Sequence, residues 1–413
     1  MTVLADMLST ILDRRPRLRG VAPPADRPMA DLATDLLGTS GEVSGMAIAR
    51  AILDRYAGMD DIARLDFFRM LAWMNLVPDR VRDTLAAYES MPSKATYRAF
   101  SAAAEPPRQE LIRRLNQVPG ATGELVAMRA DLLRLGTGEP ELEALDLDFR
   151  HLFASWFNRG FLLLRPIDWQ TPANLLEKII EYEAVHDISG WGDLRRRLEP
   201  PDRRCFAFFH PAMPDEPLIF VEVALTSGVA TSIQTLLADG RDPIPAQEAD
   251  TAVFYSISNC QKGLASISFG SSLIKQVAAD LAADLPGLKT FMTLSPIPGL
   301  ARWAEEAGTA VDPDDAQSIR RLAARYLLEA KTPSGRPRDP VARFHLGNGA
   351  VLQAVHAKAD MSEKGRRQSG GAMVNYLYDL DRMSQNHERF AATGEIVASA
   401  DVRALWSRDR SPV

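Results

Sequence analysis

The spacing of apolar residues divides the chain into two parts that meet near residue 160. From about residue 28 to 160, apolar residues recur every three or four positions, which is the period of helices buried along one face. Within residues 47–75 this apolar set consists of Ile52, Tyr56, Ile62, Phe67, Leu71 and Met74. No convincing strand pattern interrupts it, so the first part is predicted to be a helical bundle. One of its helices is predicted to open with Thr122 as a cap and to close before Gly136.

After residue 160 the pattern changes to short apolar runs that alternate with helical ones. The predicted strands are 206–210, 218–226, 252–258, 289–295, 342–347 and 350–359. Strands that alternate with helices are typical of a domain built on a mixed sheet. The predicted fold class is therefore α+β, with an N-terminal all-α helical bundle followed by a mixed α/β domain.

A helix between two of these strands predicts how the strands pair. Its apolar face consists of Leu273, Ile274, Val277, Leu281 and Leu285, and it is ended by Pro286 and Gly287. A strand, a loop, a helix and a second strand form a crossover unit, so strands 252–258 and 289–295 are expected to be parallel neighbours. A later helix is predicted to begin with Asp312 as N-cap and Pro313 at its first position.

Length and composition describe an ordinary globular chain of about two or three domains. Of the 413 residues, 46% are hydrophobic and 25% are charged, and the formal net charge is −6. This charge provides no basic surface, so neither nucleic acid nor a membrane is an expected partner. Cys205 and Cys260 are the only cysteines and lack metal-type spacing, so neither zinc nor a disulfide scaffold is expected. No signal-peptide pattern opens the chain, which indicates a cytoplasmic protein.

The loop between the two parallel strands is a candidate phosphate-binding turn. It reads NCQKGLASISFGSS, residues 259–272, and leads directly into the N-terminus of a helix. Free backbone N–H groups and the helix dipole favour an anion at such a place. The candidate binding residues are Gln261, Lys262, Gly263, Gly270 and Ser271. The spacing fits neither a Walker motif nor GxGxxG, so a purely structural role of the glycines stays open.

Ser295 is a candidate reactive hydroxyl at the end of a predicted strand. Pro296, Pro298 and Gly299 follow it. Proline fixes φ and pushes the residue before it toward extended geometry, so Ser295 is expected to be held in one orientation. The alternative is that this serine only terminates a strand.

Two further serines and one histidine are also candidates. Ser256 and Ser258 share one face of their strand by alternation, and their hydroxyls could bind a carbonyl or carboxylate or satisfy backbone groups. His345 is predicted to end the strand 342–347, just before a Gly-Asn-Gly turn suited to a hairpin. Histidine is the natural proton donor near neutral pH, although a core or surface role stays open from spacing alone.

Taken together, five segments resemble the malonyl-CoA decarboxylase family. They are HPAMPDEPLIFVEVALT (210–226), FYSISNCQKGL (254–264), TLSPIPG (293–299), HLGNGAVL (345–352) and MVNYLY (373–378). The resemblance implies a helical oligomerisation domain, residues 1–160, and a catalytic domain of the GNAT acyltransferase type, residues 161–413. It also implies conversion of malonyl-CoA to acetyl-CoA and CO2 without metal or organic cofactor, by a homo-oligomer that is a dimer or tetramer.

The resemblance also implies where substrate and catalytic residues lie. The coenzyme A pyrophosphate is expected on the loop before the crossover helix, and the pantetheine arm between two splayed parallel strands. The implied active-site residues are Ser295, His345, Ser256 and Tyr378. Where some relatives have a glutamate this chain has Ser268, so Asp360 or a backbone carbonyl is expected to orient the histidine instead.

The chemistry of decarboxylation fits such residues. Loss of CO2 from a malonyl thioester leaves an enolate, which needs hydrogen bonds, a dry site and a proton. The hypothesis is that Ser295, Ser256 and Tyr378 orient the malonyl group while His345 delivers the proton to C2. The alternatives are an acyl-CoA-dependent acyltransferase, which needs an acceptor motif that is not visible, and a non-catalytic acyl-CoA-binding protein.

Overall fold

The computed structural model describes residues 27–39, 41–267 and 273–409. The first part of the chain is helical, and no strand occurs among its described residues before Leu163. The helices are α1 Met29–Gly38, α2 Glu42–Ala57, α3 Asp61–Trp73, α4 Pro78–Ser90, α5 Lys94–Ala103, α6 Pro107–Leu115, α7 Ala121–Leu135 and α8 Pro140–Trp156. This confirms the all-helical character that the apolar spacing predicts.

Most of the predicted apolar face is buried, with two local corrections. Tyr56, Phe67 and Leu71 lie in the core, whereas Ile62 is 75% exposed. The predicted Thr122 cap is wrong. Helix α7 begins one residue earlier, after Gly120 at φ +81°, a left-handed conformation that favours glycine, and the Thr122 hydroxyl donates to Asn116 Oδ1 at 2.8 Å.

The second part is built on a mixed sheet, as predicted. Among the described residues its strands are β1 Leu163–Ile167, β2 Arg203–Phe209, β3 Ile219–Thr226, β4 Thr251–Asn259, β5 Thr290–Thr293, β6 Ser295–Pro296, β7 Val351–His356 and β8 Met373–Leu377. The sheet order is β1-β2-β3-β4-β5-β8-β6, and β7 pairs with β8. The helices are α9 Ala173–Tyr182, α10 Trp191–Leu198, α11 Ile233–Leu236, α12 Leu273–Asp284, α13 Leu300–Glu306, α14 Ala316–Glu329, α15 Pro340–Gly347, α16 Glu363–Ser369, α17 Met383–Thr393 and α18 Ala400–Asp409.

Strands β4 and β5 are parallel neighbours, which confirms the predicted crossover. Their pairing runs from Thr251 opposite Thr290 to Phe254 opposite Thr293. Beyond Phe254 the remainder of β4 pairs with β3 alone, and a register shift leaves Tyr255 as an extra residue on β4. Such a bulge bends a strand, so β4 leaves β5 at this point and a gap opens between the two strand ends.

Two predictions about local structure are wrong for reasons of helix capping. Residues 342–347 belong to helix α15, because the Asp339 side chain accepts a hydrogen bond from Ala342 N at 2.9 Å and Pro340 occupies the first helical turn. Helix α14 is capped by Asp315, not by Asp312, since the Asp315 carboxylate accepts bonds from Gln317 N and Ser318 N. Strands β1 and β8 were not predicted.

The chain forms two compact units. The first consists of Met1–Phe161 with two short segments from later in the sequence, His210–Pro214 and Gln261–Ile267. The second consists of Leu162–Phe209, Asp215–Cys260 and Ser268–Val413. The units are therefore not continuous in sequence. The functional division into domains at residues 1–160 and 161–413 stays a prediction.

Candidate active site

Ser295 contacts two side chains in the second unit. It is 5% exposed and starts strand β6, where it pairs with Val374 of β8. Its hydroxyl donates to Thr293 Oγ1 at 2.8 Å and lies 3.1 Å from Nε2 of His345. Pro296 follows directly, so the backbone that presents this hydroxyl has little conformational freedom.

His345 lies in the last turn of helix α15, and each of its two ring nitrogens contacts a side-chain hydroxyl. Nε2 faces Ser295, and Nδ1 lies 2.6 Å from the hydroxyl oxygen of Tyr378. The ring stacks on Tyr376 with centroids 4.6 Å apart. Burial lowers the pKa of His345 to about 3, so the imidazole of the free protein is neutral at neutral pH.

The hydrogen bonds of this group fix one tautomer of His345. Burial raises the pKa of Tyr378 well above its usual value, so its hydroxyl keeps its proton and can donate to Nδ1. The remaining ring proton then sits on Nε2 and points at Ser295, which in turn donates to Thr293 Oγ1. The result is a directed chain from Tyr378 through His345 and Ser295 to Thr293.

This chain of polar groups borders an apolar cavity of about 250 Å³. The cavity occupies the gap where β4 leaves β5, and all of its lining residues belong to the second unit. Its apolar wall includes Val185, Phe254, Ile257, Val341 and Phe344, with Ser295 and His345 among the polar lining residues. Within the described part of the chain no lysine or arginine lines it.

Ser256 belongs to a different hydrogen-bonded group. Its hydroxyl lies 2.8 Å and 2.7 Å from the two carboxylate oxygens of Glu183, and the Ser258 hydroxyl lies 3.3 Å from one of them. The two serines share a face, as alternation predicts. Ser256 does not join Ser295, His345 and Tyr378, and its direct catalytic role stays a prediction. Glu183 was not predicted, because a single glutamate at the end of a helix gives no sequence signal.

We expect Ser256→Ala to act mainly on stability. It removes a donor from a buried carboxylate, so urea denaturation should show a loss of about 1.5–3 kcal/mol in the free energy of unfolding. Ser258→Ala, with its longer contact, should cost less and is the matched control. Unchanged stability with abolished turnover in Ser256→Ala would instead favour direct contact with substrate.

The predicted partner of His345 is corrected by the structure. Neither Asp360 nor a backbone carbonyl contacts the ring, since Tyr378 occupies Nδ1 and Ser295 faces Nε2. Asp360 is buried elsewhere and accepts bonds from Gln234 Nε2 and Ser362 N, both at 3.1 Å. Ser268, which stands where some relatives have a glutamate, lies outside the described residues.

The predicted phosphate loop is described only in part. Gly270 and Ser271 lie outside the described residues, while Gln261 precedes a short 3-10 turn formed by Lys262–Leu264. Gly263 is buried, and a Cβ there would come within 1.8 Å of the Val126 carbonyl oxygen, so close packing requires glycine at this position. Arg129 Nη1 donates to the Gly263 carbonyl at 2.7 Å. Phosphate binding by this loop stays a prediction.

The residues that the structure describes contain neither a metal-binding cluster nor a membrane-spanning helix. No group of three or more His, Cys, Asp or Glu side chains in those residues could hold a metal ion. In the same residues, no helix has the length and apolar content to cross a bilayer.

Comparison with known proteins gives matches along most of the chain. Residues 160–317 and 309–412 match the malonyl-CoA decarboxylase C-terminal domain, and residues 77–157 match the N-terminal domain. The mitochondrial malonyl-CoA decarboxylase of Anser anser anser is 33% identical over 354 residues, 73% of this chain and 70% of that protein. The Rattus norvegicus protein is also 33% identical, over 73% of this chain and 71% of its own.

Two crystal structures are similar over nearly the whole chain. Malonyl-CoA decarboxylase from Agrobacterium vitis is 50% identical with a TM-score of 0.86, covering 92% of this chain and 99% of that one. The protein from Rhodopseudomonas palustris is 47% identical with a TM-score of 0.86, covering 91% and 98%. These matches define an enzyme of the carboxy-lyase class. The chain belongs to the malonyl-CoA decarboxylase family, which confirms the resemblance seen in its motifs.

Proposed function

We propose that this protein converts malonyl-CoA to acetyl-CoA and CO2 through an enolate that His345 protonates. The observation that carries the proposal is the buried chain of Ser295, His345 and Tyr378 beside an apolar cavity. Family membership supports the substrate, and the cavity supports the reaction type.

The apolar lining favours loss of CO2. A malonyl carboxylate in a dry cavity without a neighbouring lysine or arginine is poorly stabilised, whereas the transition state spreads the charge toward the thioester oxygen. A permanent cation beside the carboxylate would stabilise the ground state and oppose the reaction. The Ser295 hydroxyl donates to Thr293 Oγ1 in the free protein, and it is the proposed hydrogen-bond donor to the oxygen on which charge develops once substrate is bound.

The proton balance follows from the neutral imidazole of the free enzyme. An anionic substrate in the cavity raises the pKa of His345, so one proton is taken up from solvent with the malonyl group. The bond between C2 and the carboxylate breaks, CO2 leaves, and the electron pair stays on the enolate. His345 then gives its proton to C2 and returns to neutrality. The Tyr378 hydroxyl, able to donate or accept, bonds Nδ1 in both states.

The remaining predicted site residues stay in the proposal with separate roles. Gln261, Lys262 and Gly263, with Gly270 and Ser271, are the proposed binding residues for the coenzyme A phosphates. Ser256 is proposed to act on the site through Glu183, which it contacts. No organic cofactor is required by this chemistry.

The test is release of CO2 and acetyl-CoA from malonyl-CoA by the purified protein, with EDTA present and no acyl acceptor added. We expect turnover under these conditions. Turnover only after addition of an amine or thiol acceptor would favour the acyltransferase, and binding of the thioester without any product would favour an acyl-CoA-binding protein.

We further propose that the protein is a cytoplasmic homo-oligomer, a dimer or tetramer, that associates through its helical unit. Large apolar side chains are exposed there: Trp73 is 88%, Met91 66%, Val77 58% and Tyr97 58% exposed in the single chain. Apolar exposure of this kind marks interaction surfaces. Sedimentation should give a multiple of the monomer mass that Trp73→Glu reduces, and a monomeric wild type would contradict the proposal.

A further inference from the structure

Residues 183–187, between helices α9 and α10, form a short segment that we call the strap. The strap has no helix or strand structure of its own. Several of its backbone N–H and carbonyl groups bind side chains of strand β4 and of helices α10 and α16, which are far apart in the sequence. Irregular backbone that is held so closely is unusual for a connection, because loops ordinarily bond to water.

Glu183 binds the strap to strand β4. Its Oε1 accepts hydrogen bonds from Val185 N at 2.8 Å and His186 N at 2.7 Å. The same carboxylate accepts from the Ser256 and Ser258 hydroxyls of β4, and Ala184 N donates to Ser258 Oγ at 3.3 Å. Glu183 is only 7% exposed, so these bonds take the place of its hydration.

Two basic side chains bind the strap carbonyls. Lys364 of helix α16 donates to the carbonyl oxygens of Ala184 at 2.6 Å and Val185 at 3.2 Å. Arg197 of helix α10 donates to the carbonyl oxygens of His186 at 2.8 Å and Asp187 at 3.0 Å. A carboxylate therefore binds N–H groups of the strap, and two cationic side chains bind its carbonyl groups.

Two cavities of different character share a lining residue of the strap. Val185 lines the apolar catalytic cavity of about 250 Å³ and also a second cavity of about 690 Å³. The charged side chains that line the second cavity are Asp187, Arg197, Asp239, Asp360, Glu363, Lys364 and Arg367. Among the residues that the structure describes, Val185 is the one common to the two linings.

We propose that the strap is a dividing wall that keeps bulk water and the lysine and arginine side chains of the second cavity out of the catalytic cavity, with Glu183 and Lys364 as its positioning residues. Their bonds hold Val185 as an apolar partition and keep water and the charged side chains in the second cavity. The proposal rests on the proposed decarboxylation, because only a reaction that begins from a poorly solvated carboxylate needs such a wall.

A loosened wall has a distinctive kinetic signature. Water or a cation that reaches the malonyl carboxylate stabilises the bound substrate more than the charge-dispersed transition state. We therefore expect kcat to fall while KM stays constant or decreases, which is the pattern of lost ground-state destabilisation. A general loss of structure would raise KM, or would lower the apparent kcat only in proportion to the folded fraction of the enzyme, so kcat is calculated per folded enzyme.

Lys364→Met and Val185→Thr test the proposal in the full-length enzyme. Lys364→Met removes the ammonium group that binds two strap carbonyls, and Val185→Thr leaves the strap bonds in place but adds a hydroxyl to the wall at nearly constant volume. For each variant we expect a fall in kcat of about tenfold or more with no rise in KM. Hydrogen exchange in residues 183–190 should accelerate in Lys364→Met and stay unchanged in Val185→Thr.

Lys358→Met is the matched control. Lys358 lies in the connection that leads from β7 to helix α16, contacts Asp314 at 3.4 Å, and lines neither cavity. Its variant should keep wild-type kcat and KM. Wild-type kcat in both Lys364→Met and Val185→Thr, in a protein that releases CO2 normally, would overturn the strap proposal alone. A wild type without decarboxylation would overturn the proposed function first.

Discussion

Glutamine in place of His345 is expected to lower kcat for decarboxylation of malonyl-CoA by about 10²–10⁴-fold, the range typical of a lost general acid. Glutamine cannot take up the proton that the reaction requires, although it retains a polar side chain beside Ser295 and Tyr378. The measurement is the initial rate of CO2 release at saturating substrate. His151→Gln, a change at an exposed histidine of the helical unit, is the control and should leave kcat unchanged.

The pH profile of the wild type checks the same residue independently. Because burial lowers the pKa of His345 to about 3, the free enzyme carries a neutral imidazole throughout the range from about pH 5 to 8. The quantity kcat/KM reports ionisations of the free enzyme, and the proposed step takes up one proton, so kcat/KM should fall steadily as the pH rises across this range, without a plateau. A plateau below about pH 6.5 with a fall above it, both absent in His345→Gln, would contradict the buried, neutral state. Near-normal turnover of His345→Gln would contradict the catalytic assignment itself.

Local sequence patterns predicted the parts of the fold that depend on local chemistry. The apolar period of the helical part and the crossover between β4 and β5 follow from spacing that any helix or strand must satisfy. The error at His345 arose because an apolar run was interpreted as a strand, although Asp339 and Pro340 before it form a helix start. At this position the capping residues determine the structure more strongly than the apolar composition of the run.

Local patterns do not predict the long-range contacts that build the site. Glu183 meets Ser256 across 73 positions of sequence, and Lys364 meets Ala184 across 180. Neither residue has a neighbour in sequence that marks it. The prolines after Ser295 mark that serine in the sequence, whereas Tyr378 is marked only by the resemblance of its motif to a known family. The hydrogen bond of Tyr378 to His345 depends on the pairing of β8 with the strands around it.

Ser295→Ala is the second change from which we expect a large effect, a fall in kcat of about 10²–10³-fold, or roughly 2.7–4 kcal/mol in the barrier. Alanine fits the space that serine leaves and Pro296 still holds the backbone, so the fold should persist. The variant lacks the donor proposed for the developing enolate oxygen and leaves Nε2 of His345 without its partner. Coenzyme A binding should remain close to wild type, thermal unfolding should show only the modest loss expected for a removed buried hydrogen bond, and near-normal kcat would exclude this role.

The double variant Ser295→Ala with His345→Gln tests whether the two residues act as one unit. Ser295 Oγ and His345 Nε2 lie 3.1 Å apart, and residues in contact that act on one transition state lose their effects together rather than in sum. We therefore expect the double variant to retain a kcat close to that of the slower single variant. Full additivity of the two barriers would mean that the serine and the histidine stabilise the transition state independently, without the coupling that their contact implies.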